Sequence, residues 1–186
     1  MAVWLVCLGT DPHDAPLNSG KCSKGYYCGE ASTAHNQNAC LAGYHGASVG
    51  MFSNTCSGKC YPGHYCLAGS TSPTQKACAA GSWGGLGQSS SSCSGACEAG
   101  YYCPAGSSTA RQNECGGVKY YCPASSGSRK SVTTGEYTTP ITASVNTRTG
   151  KATCEAGYYC PGTGERKPCV AGYYGSTTGL SVSTCR

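Results

Sequence analysis

Seventeen cysteines recur along this 186-residue chain in register with glycine and tyrosine, and that recurrence limits the fold more than any other feature. The stretch from Cys60 to Cys103 holds one complete copy of the recurring unit. In it a Gly63-His64-Tyr65-Cys66 knuckle ends six residues after Cys60, and Cys78, a glycine- and serine-rich loop, Cys93 and a new start at Cys97 follow. An earlier unit runs from Cys22 through Cys28, Cys40 and Cys56, so successive units begin 38 and then 37 residues apart. Periods of this length denote arrays of modules rather than one globular core.

Leu, Ile, Val and Phe together number 17, well below what a packed core uses. Cysteine takes their place, at the density of a disulfide scaffold, and disulfides persist in oxidising surroundings. A bridge closing a loop of about 15 residues contributes on the order of 3 kcal/mol by restricting the unfolded chain, enough to hold units too small to fold by burial alone. The expected fold is a small disulfide-rich repeat array of short β-hairpins and turns, with very little helix and no conventional hydrophobic core. The expected location is extracellular or at the cell surface.

The units divide the chain as follows. Residues 1–21 are irregular, with Asn18-Ser-Gly-Lys-Cys22 repeating Cys56-Ser-Gly-Lys-Cys60 except that asparagine stands for the first cysteine. Repeats cover 22–59 and 60–96. A variant third repeat covers 97–153, where Cys115 to Cys122 inserts a second knuckle and a Ser/Thr-rich insert, 123–153, carries no cysteine. In that insert Val132, Tyr137, Ile141 and Val145 are spaced for one or two short strands. Residues 154–186 form a fourth, incomplete repeat.

Five cysteine pairs flank a Tyr-Cys knuckle (22/28, 60/66, 97/103, 115/122, 154/160) and three flank a glycine loop (40/56, 78/93, 169/185), leaving Cys7 over. Pairing by type predicts Cys40–Cys56, Cys78–Cys93 and Cys169–Cys185. A crossed pattern, such as Cys60 to Cys78 with Cys66 to Cys93, fits the same spacings, and spacing alone does not choose between them. Glycines and prolines punctuate the chain every few residues, which suits turns and hairpins. The tyrosines are expected to serve as a substitute core, one of each Tyr-Tyr pair stacking on a disulfide or the next unit.

The motif Cys-x-x-Gly-Tyr-Tyr-Cys-Pro-x-Gly-Ser, with Cys-x-Ala-Gly-Tyr-Tyr-Gly-x-x-x-Gly-Leu at residues 169–180, resembles the ephrin-receptor-type cysteine-rich repeat over nearly all of residues 22–186. The block from Cys115 through Thr147-Arg-Thr-Gly150 to Cys160 is similar to arrays in large surface proteins of algae and other protists. The resemblance implies an extracellular, disulfide-bonded architecture without catalysis; related modules serve receptors, adhesins and fibres alike.

The net charge of +5 is uneven: residues 1–110 carry four basic and four acidic side chains, residues 111–186 nine and four. Arg129, Lys130, Arg148, Lys151, Arg166 and Lys167 read as solvated surface or as a contact for an anionic glycan or an acidic neighbour. Nucleic acid is not an expected partner. The Cys-x3-Cys pairs 56/60 and 93/97 near His64 have zinc-like spacing, but their serine-glycine linkers and secreted character favour bridges, so neither metal nor cofactor is expected. His13, His35, His45 and His64 stand singly, with no nucleophile motif beside them, so no enzymatic activity is expected. Met1 to Leu8 is the one continuous apolar run and is too short to span a bilayer.

Glycans are expected partners. Asn38, Asn54 and Asn113 match only the rarer Asn-x-Cys form, whereas Ser89, Ser90, Ser91, Ser92 and Thr133, Thr134, Thr138, Thr139 lie in polar tracts suited to O-linked sugar. Cys7, with Trp4 beside it, is expected to join this segment to a preceding repeat or a second chain. The function these features suggest is a structural segment of an extracellular, glycosylated filament or surface hair, built from copies of itself or adjoining repeats. The competing reading is a ligand-binding or adhesive ectodomain.

Overall fold

The computed structural model describes residues 20–186, among which there is no helix. Apart from isolated parallel bridges at Tyr27–Met51, Tyr65–Gln88 and Tyr137–Gly164, the strands among the described residues form eight antiparallel hairpins in chain order. They are β1 (Tyr26–Tyr27) with β2 (Asn38–Ala39), β3 (Tyr44–His45) with β4 (Gly58–Lys59), β5 (His64–Tyr65) with β6 (Lys76–Ala77), and β7 (Ser82–Trp83) with β8 (Gly95–Ala96). Then come β9 (Tyr101–Tyr102) with β10 (Asn113–Glu114), β11 (Tyr120–Tyr121) with β12 (Lys130–Ser131), β13 (Glu136–Thr139) with β14 (Gly150–Thr153), and β15 (Tyr158–Tyr159) with β16 (Lys167–Pro168). The chain is a small disulfide-rich hairpin-repeat fold.

Six of the eight hairpins belong to modules opened by Cys-x-x-Gly, β11–β12 follows Cys115-Gly-Gly-Val118 and β13–β14 follows Val132-Thr-Thr-Gly135, and the 37–38-residue period contains two modules. The glycine turns the chain into the first strand: Gly25, Gly43, Gly63, Gly81, Gly100 and Gly157 all have φ between 80° and 89°. A side chain is disfavoured there by backbone sterics. Contact divides the modules between two compact units, one made of the described residues up to Cys78 with Gly84–Ser94, the other of Ala79–Trp83 with Gly95–Arg186.

Eight disulfides take up the sixteen cysteines from Cys22 to Cys185. They are of two kinds. Knuckle bridges join the opening cysteine to one six or seven residues on: Cys22–Cys28, Cys60–Cys66, Cys97–Cys103, Cys115–Cys122 and Cys154–Cys160. Loop bridges reach 15 or 16 residues: Cys40–Cys56, Cys78–Cys93 and Cys169–Cys185. The residue six positions after the opening cysteine, or seven after Cys115, separates them. Where it is cysteine it closes the knuckle; in the loop modules it is Gly46, Gly84 or Gly175, and the far cysteine crosses over it. A Cβ on Gly84 would lie 2.5 Å from the Cys78 sulfur and 3.4 Å from Cys93 Cβ, and one on Gly46 would lie 2.9 Å from the Cys40 sulfur.

Within each unit, consecutive modules are stitched by backbone hydrogen bonds. In the first unit the turn glycine N–H donates to the next module's carbonyl at Gly25→Gly46 (2.9 Å), Gly43→Cys66 (2.8 Å) and Gly63→Gly84 (2.7 Å). In the second unit the same bond recurs at Gly81→Cys103, Gly100→Cys122, Gly135→Cys160 and Gly157→Gly175. A second bond runs from the residue six places after the opening cysteine, as at Cys28→Met51, Cys66→Gln88, Cys103→Ser126 and Cys160→Leu180.

The buried centre of this fold is cystine. Twelve half-cystines with Val132, Tyr137 and Leu180 make up the buried apolar residues among those described. The expectation that tyrosine replaces a core is corrected here. Tyr26, Tyr27, Tyr101, Tyr102, Tyr120, Tyr121, Tyr158 and Tyr159 are only half-buried, and Tyr61, Tyr173 and Tyr174 are exposed. Two-residue strands are too short to cover a ring on both faces, whereas a bridge at the hinge of each hairpin is enclosed by backbone.

The role of the glycine at the sixth position gives a direct test. Non-reducing peptide mapping of the parent chain is expected to return the eight pairs above. In Gly84→Cys the new sulfur sits where a knuckle cysteine would, so mapping is expected to show Cys78 bridged to position 84 and a titratable thiol at Cys93; an unchanged Cys78–Cys93 bridge would remove the rule.

Candidate functional site

The most elaborated part of the molecule lies in the segment without cysteine. Residues 132–138, Val-Thr-Thr-Gly-Glu-Tyr-Thr, overlay the pattern Cys-x-x-Gly-x-Tyr-Cys, with Val132 and Thr138 in the two cysteine positions. The fold treats them so. Val132 is 2% exposed and Thr138 1%, Gly135 has φ 81°, and the seams continue through Gly135 N–H to the Cys160 carbonyl and Thr138 N–H to the Gly164 carbonyl. The insert is therefore a module in register, and the match of Val and Thr to the cysteine positions was the available signal for it. In place of a bridge, the Thr138 hydroxyl donates to the Val118 carbonyl at 2.7 Å, and β13 and β14, at four residues each, are the longest strands described.

Arg148 completes this module. It is 7% exposed, and its guanidinium donates to three carbonyls: Thr138 (3.3 Å), Pro140 and Ile141 (3.0 Å). The side chain thus fastens the loop between β13 and β14 from inside, as the Cys40–Cys56 and Cys78–Cys93 bridges do in the loop modules. Beside it the Tyr137 hydroxyl donates to Glu155 Oε1 at 2.6 Å, and Arg166 Nη1 lies 2.8 Å from Glu155 Oε2. The Arg166 guanidinium also lies 4.7 Å from the Tyr158 ring centre and 5.6 Å from that of Tyr137. The Tyr137 hydroxyl and then Arg166 hold the Glu155 carboxyl below the usual carboxylate range, and the same hydrogen bond to Glu155 pushes the Tyr137 phenol up. Tyr137, Cys154 and Cys160 form a buried cluster against which Ala152 and Tyr158 pack. An open hollow of about 290 Å³ adjoins it, lined among others by Val118, Ile141, Val145, Arg148, Glu165 and Arg166.

The basic residues of the second half do not converge. Arg148 is interior, Lys151 pairs with Glu136, and Arg166 pairs with Glu155. Arg129 lies over the Tyr120 ring at 4.1 Å, while Lys130 and Lys167 are exposed. As a contact for an acidic partner, Arg148 is corrected: its charge is enclosed by carbonyls. Among the described residues no group of three His, Cys, Asp or Glu side chains could hold a metal ion, and Cys56, Cys60, Cys93 and Cys97 belong to four different bridges.

Of the glycan acceptors, Ser89, Ser90, Ser91, Ser92, Thr133 and Thr134 are exposed and Thr139 is half-buried. Thr138 is corrected, since its hydroxyl is buried and already donated. Asn54 is exposed, and Asn38 and Asn113 are half-buried in β2 and β10. Cys7, Trp4 and His13 lie outside the described residues.

Replacing Arg148 by Met keeps the bulk and removes the donors to three carbonyls. Each carbonyl left unpaired costs about 1–3 kcal/mol, so the variant is expected to unfold several degrees lower in thermal melts, with faster amide exchange over residues 140–147. For acid, the sign follows from Glu155. A carboxyl whose folded pKa lies below its unfolded value of about 4.3 contributes stability that is complete above that value and lost as pH falls through the folded one. Glu155→Gln is therefore expected to be less stable than the parent at neutral pH and to lose less on acidification, measured by denaturant melts of the oxidised chain between neutral pH and pH ~3.

No family model matches this chain and no curated protein matches it, so its function rests on the geometry above.

Proposed function

We propose that this chain is a structural segment of an extracellular filament or surface hair, a load-carrying array of disulfide-stapled hairpin modules. The observation that carries the reading is the repeated seam. The same glycine N–H to carbonyl bond recurs from module to module in both units, and the segment without cysteine preserves it. A module of fewer than about 40 residues does not bury enough surface to fold unaided, so bridges within modules and backbone bonds between them provide the stability. Such arrays extend by addition of like modules, which is what a filament requires. Disulfide density of this order belongs to oxidising surroundings, and no helix among the described residues is long and apolar enough to cross a membrane. The Cys-x-x-Gly-Tyr-Tyr-Cys module is assigned, within the same proposal, to the ephrin-receptor-type cysteine-rich class.

The hollow beside Ile141 and Val145 supports the second reading, an ectodomain that binds a ligand through its cysteine-free module. Its aliphatic side chains are about half exposed and share the hollow with Arg166 and Glu165. The tyrosine and arginine nearby are already engaged with Glu155, which favours the structural role.

A glycan coat accords with the filament. The run Ser89–Ser92 is exposed at a loop tip, where sugar adds solubility and protease resistance without disturbing a seam. Electron microscopy of the native material is expected to show filaments with a regular axial repeat, and intact-mass analysis to show hexose-type additions mapping to Ser89–Ser92 or Thr133–Thr134. Isolated ectodomains on a membrane-bound chain, with only the peptide mass, would replace the filament reading with the second.

A further inference from the structure

The three loop modules bend in the same way just before their far cysteine. In Ser53–Cys56, Ser90–Cys93 and Val182–Cys185 the cysteine N–H donates to the carbonyl three residues back, at 2.9, 3.1 and 2.9 Å. Asn54 is the second residue of the first of these turns, the corner at which Ser91 stands in the next loop module. Its carbonyl accepts from Leu41 N–H at 3.0 Å. Its side-chain amide is exposed and makes no hydrogen bond among the described residues. Two residues earlier, Phe52 is 85% exposed, the most exposed large hydrophobic side chain among those described. An unengaged amide and an open aromatic ring therefore stand together on one turn.

We propose that Asn54 carries an N-linked glycan whose first sugar rests on Phe52. This goes beyond the filament reading and needs from it only the extracellular setting. Asn54-Thr-Cys56 is one of three Asn-x-Cys sequences, and the fold tells them apart. Asn38 pairs with Tyr27 across the β1–β2 ladder and Asn113 with Tyr102 across β9–β10. Both are half-buried, and a sugar on either would compete for space with the tyrosine beside it. Asn54 lies outside every ladder, at a turn corner where a bulky polar group leaves bridges and seams untouched. The axial C–H bonds of an N-acetylhexosamine give that sugar one apolar face, and an aromatic ring two residues before the acceptor supplies a surface for it.

The transfer joins Asn54 Nδ2 to the anomeric carbon of a lipid-linked diphospho-oligosaccharide. The bond from that carbon to the diphosphate oxygen breaks, the lipid diphosphate leaves with the electron pair, and one amide proton passes to a carboxylate of the transferring enzyme. In an Asn-x-Cys acceptor a thiol, a weak donor, takes the part of the Ser or Thr hydroxyl. The Cys56 sulfur has no hydrogen to donate once it is bonded to Cys40, so the transfer precedes that bridge. Chain order permits this sequence of events. Strand β4, which pairs with Tyr44–His45, follows Asn54 in the chain, as do Cys66 and Ser70, whose carbonyls accept from Gly43 and Gly46 N–H. Asn54 is therefore synthesised before the contacts that hold Cys56 against Cys40.

The test uses the native material beside the full 186-residue chain secreted by a eukaryotic host. An amidase that releases N-glycans, acting in heavy-oxygen water, converts each modified asparagine to a labelled aspartate. Peptide mapping is expected to find the label at Asn54 and not at Asn38 or Asn113. The Asn54→Gln variant is expected to lose the releasable sugar and keep the parent's disulfide map, because the amide it replaces has no partner in the fold. Oxidation of the Phe52 ring by hydroxyl radicals is expected to run severalfold faster in Asn54→Gln than in the glycosylated parent. An unlabelled Asn54 in the native material overturns the site, and label spread equally over the three asparagines overturns selection by the fold. Equal oxidation of Phe52 in variant and parent overturns the contact between sugar and ring. Native filaments with an unlabelled Asn54 would sink this site and leave the filament reading standing; native material with free thiols in place of the bridges would sink the extracellular setting, and both with it.

Discussion

The fold depends on where the sulfur of each module's opening cysteine goes. It sits directly behind a glycine turn, and its path is decided by the residue six positions later, or seven at Cys115, where a cysteine ends the bridge at once and a glycine lets it pass to the far side of the hairpin. Because two-residue strands contribute few hydrogen bonds and little burial, that bridge is what keeps the hairpin closed. The half-cystines become the buried residues, and the aromatic rings remain half outside.

Closure of one hairpin creates the surface that receives the next. The turn at positive φ aims the glycine N–H away from its own module, toward the carbonyl of the following one, and leaves no space for a side chain where a second following module passes behind. Glycine is therefore required twice at the same residue, for conformation and for close approach. This coupling explains why a module can lose both cysteines and still stay in register. At Val132 and Thr138 the seam bonds persist, while Arg148, bound to three carbonyls, ties the loop that a disulfide ties elsewhere.

Charge serves the fold in the second half more than it addresses a partner. Arg166, Lys151 and Arg111 each meet a carboxylate, and Arg129 and Arg186 lie over tyrosine rings. The exposed pairs contribute little individually in water. The Tyr137–Glu155–Arg166 group differs in resting against the one buried aromatic cluster among the described residues, where the carboxylate orients the phenol on one side and the guanidinium on the other.

From the sequence alone came the fold class, the scarcity of helix and the division of cysteines into knuckle and loop kinds, because these follow from local spacing and from glycine's tolerance of positive φ. The opposition of Cys66 to Gly46 and Gly84 was also on view, as a contrast at one position whose meaning required the path of a sulfur atom. Tertiary structure alone decided between the two bridge connectivities, since distance through space is not contained in spacing. It also showed that the period of 37–38 residues is two modules, that Val132 and Thr138 occupy cysteine positions, and that Arg148 is an interior clamp. The clamp depends on which carbonyls a side chain meets after neighbouring modules pack, and such a long-range meeting leaves no trace in the order of residues along the chain, whereas the Val132–Thr138 match was present in the sequence but became legible only once the module pattern was seen.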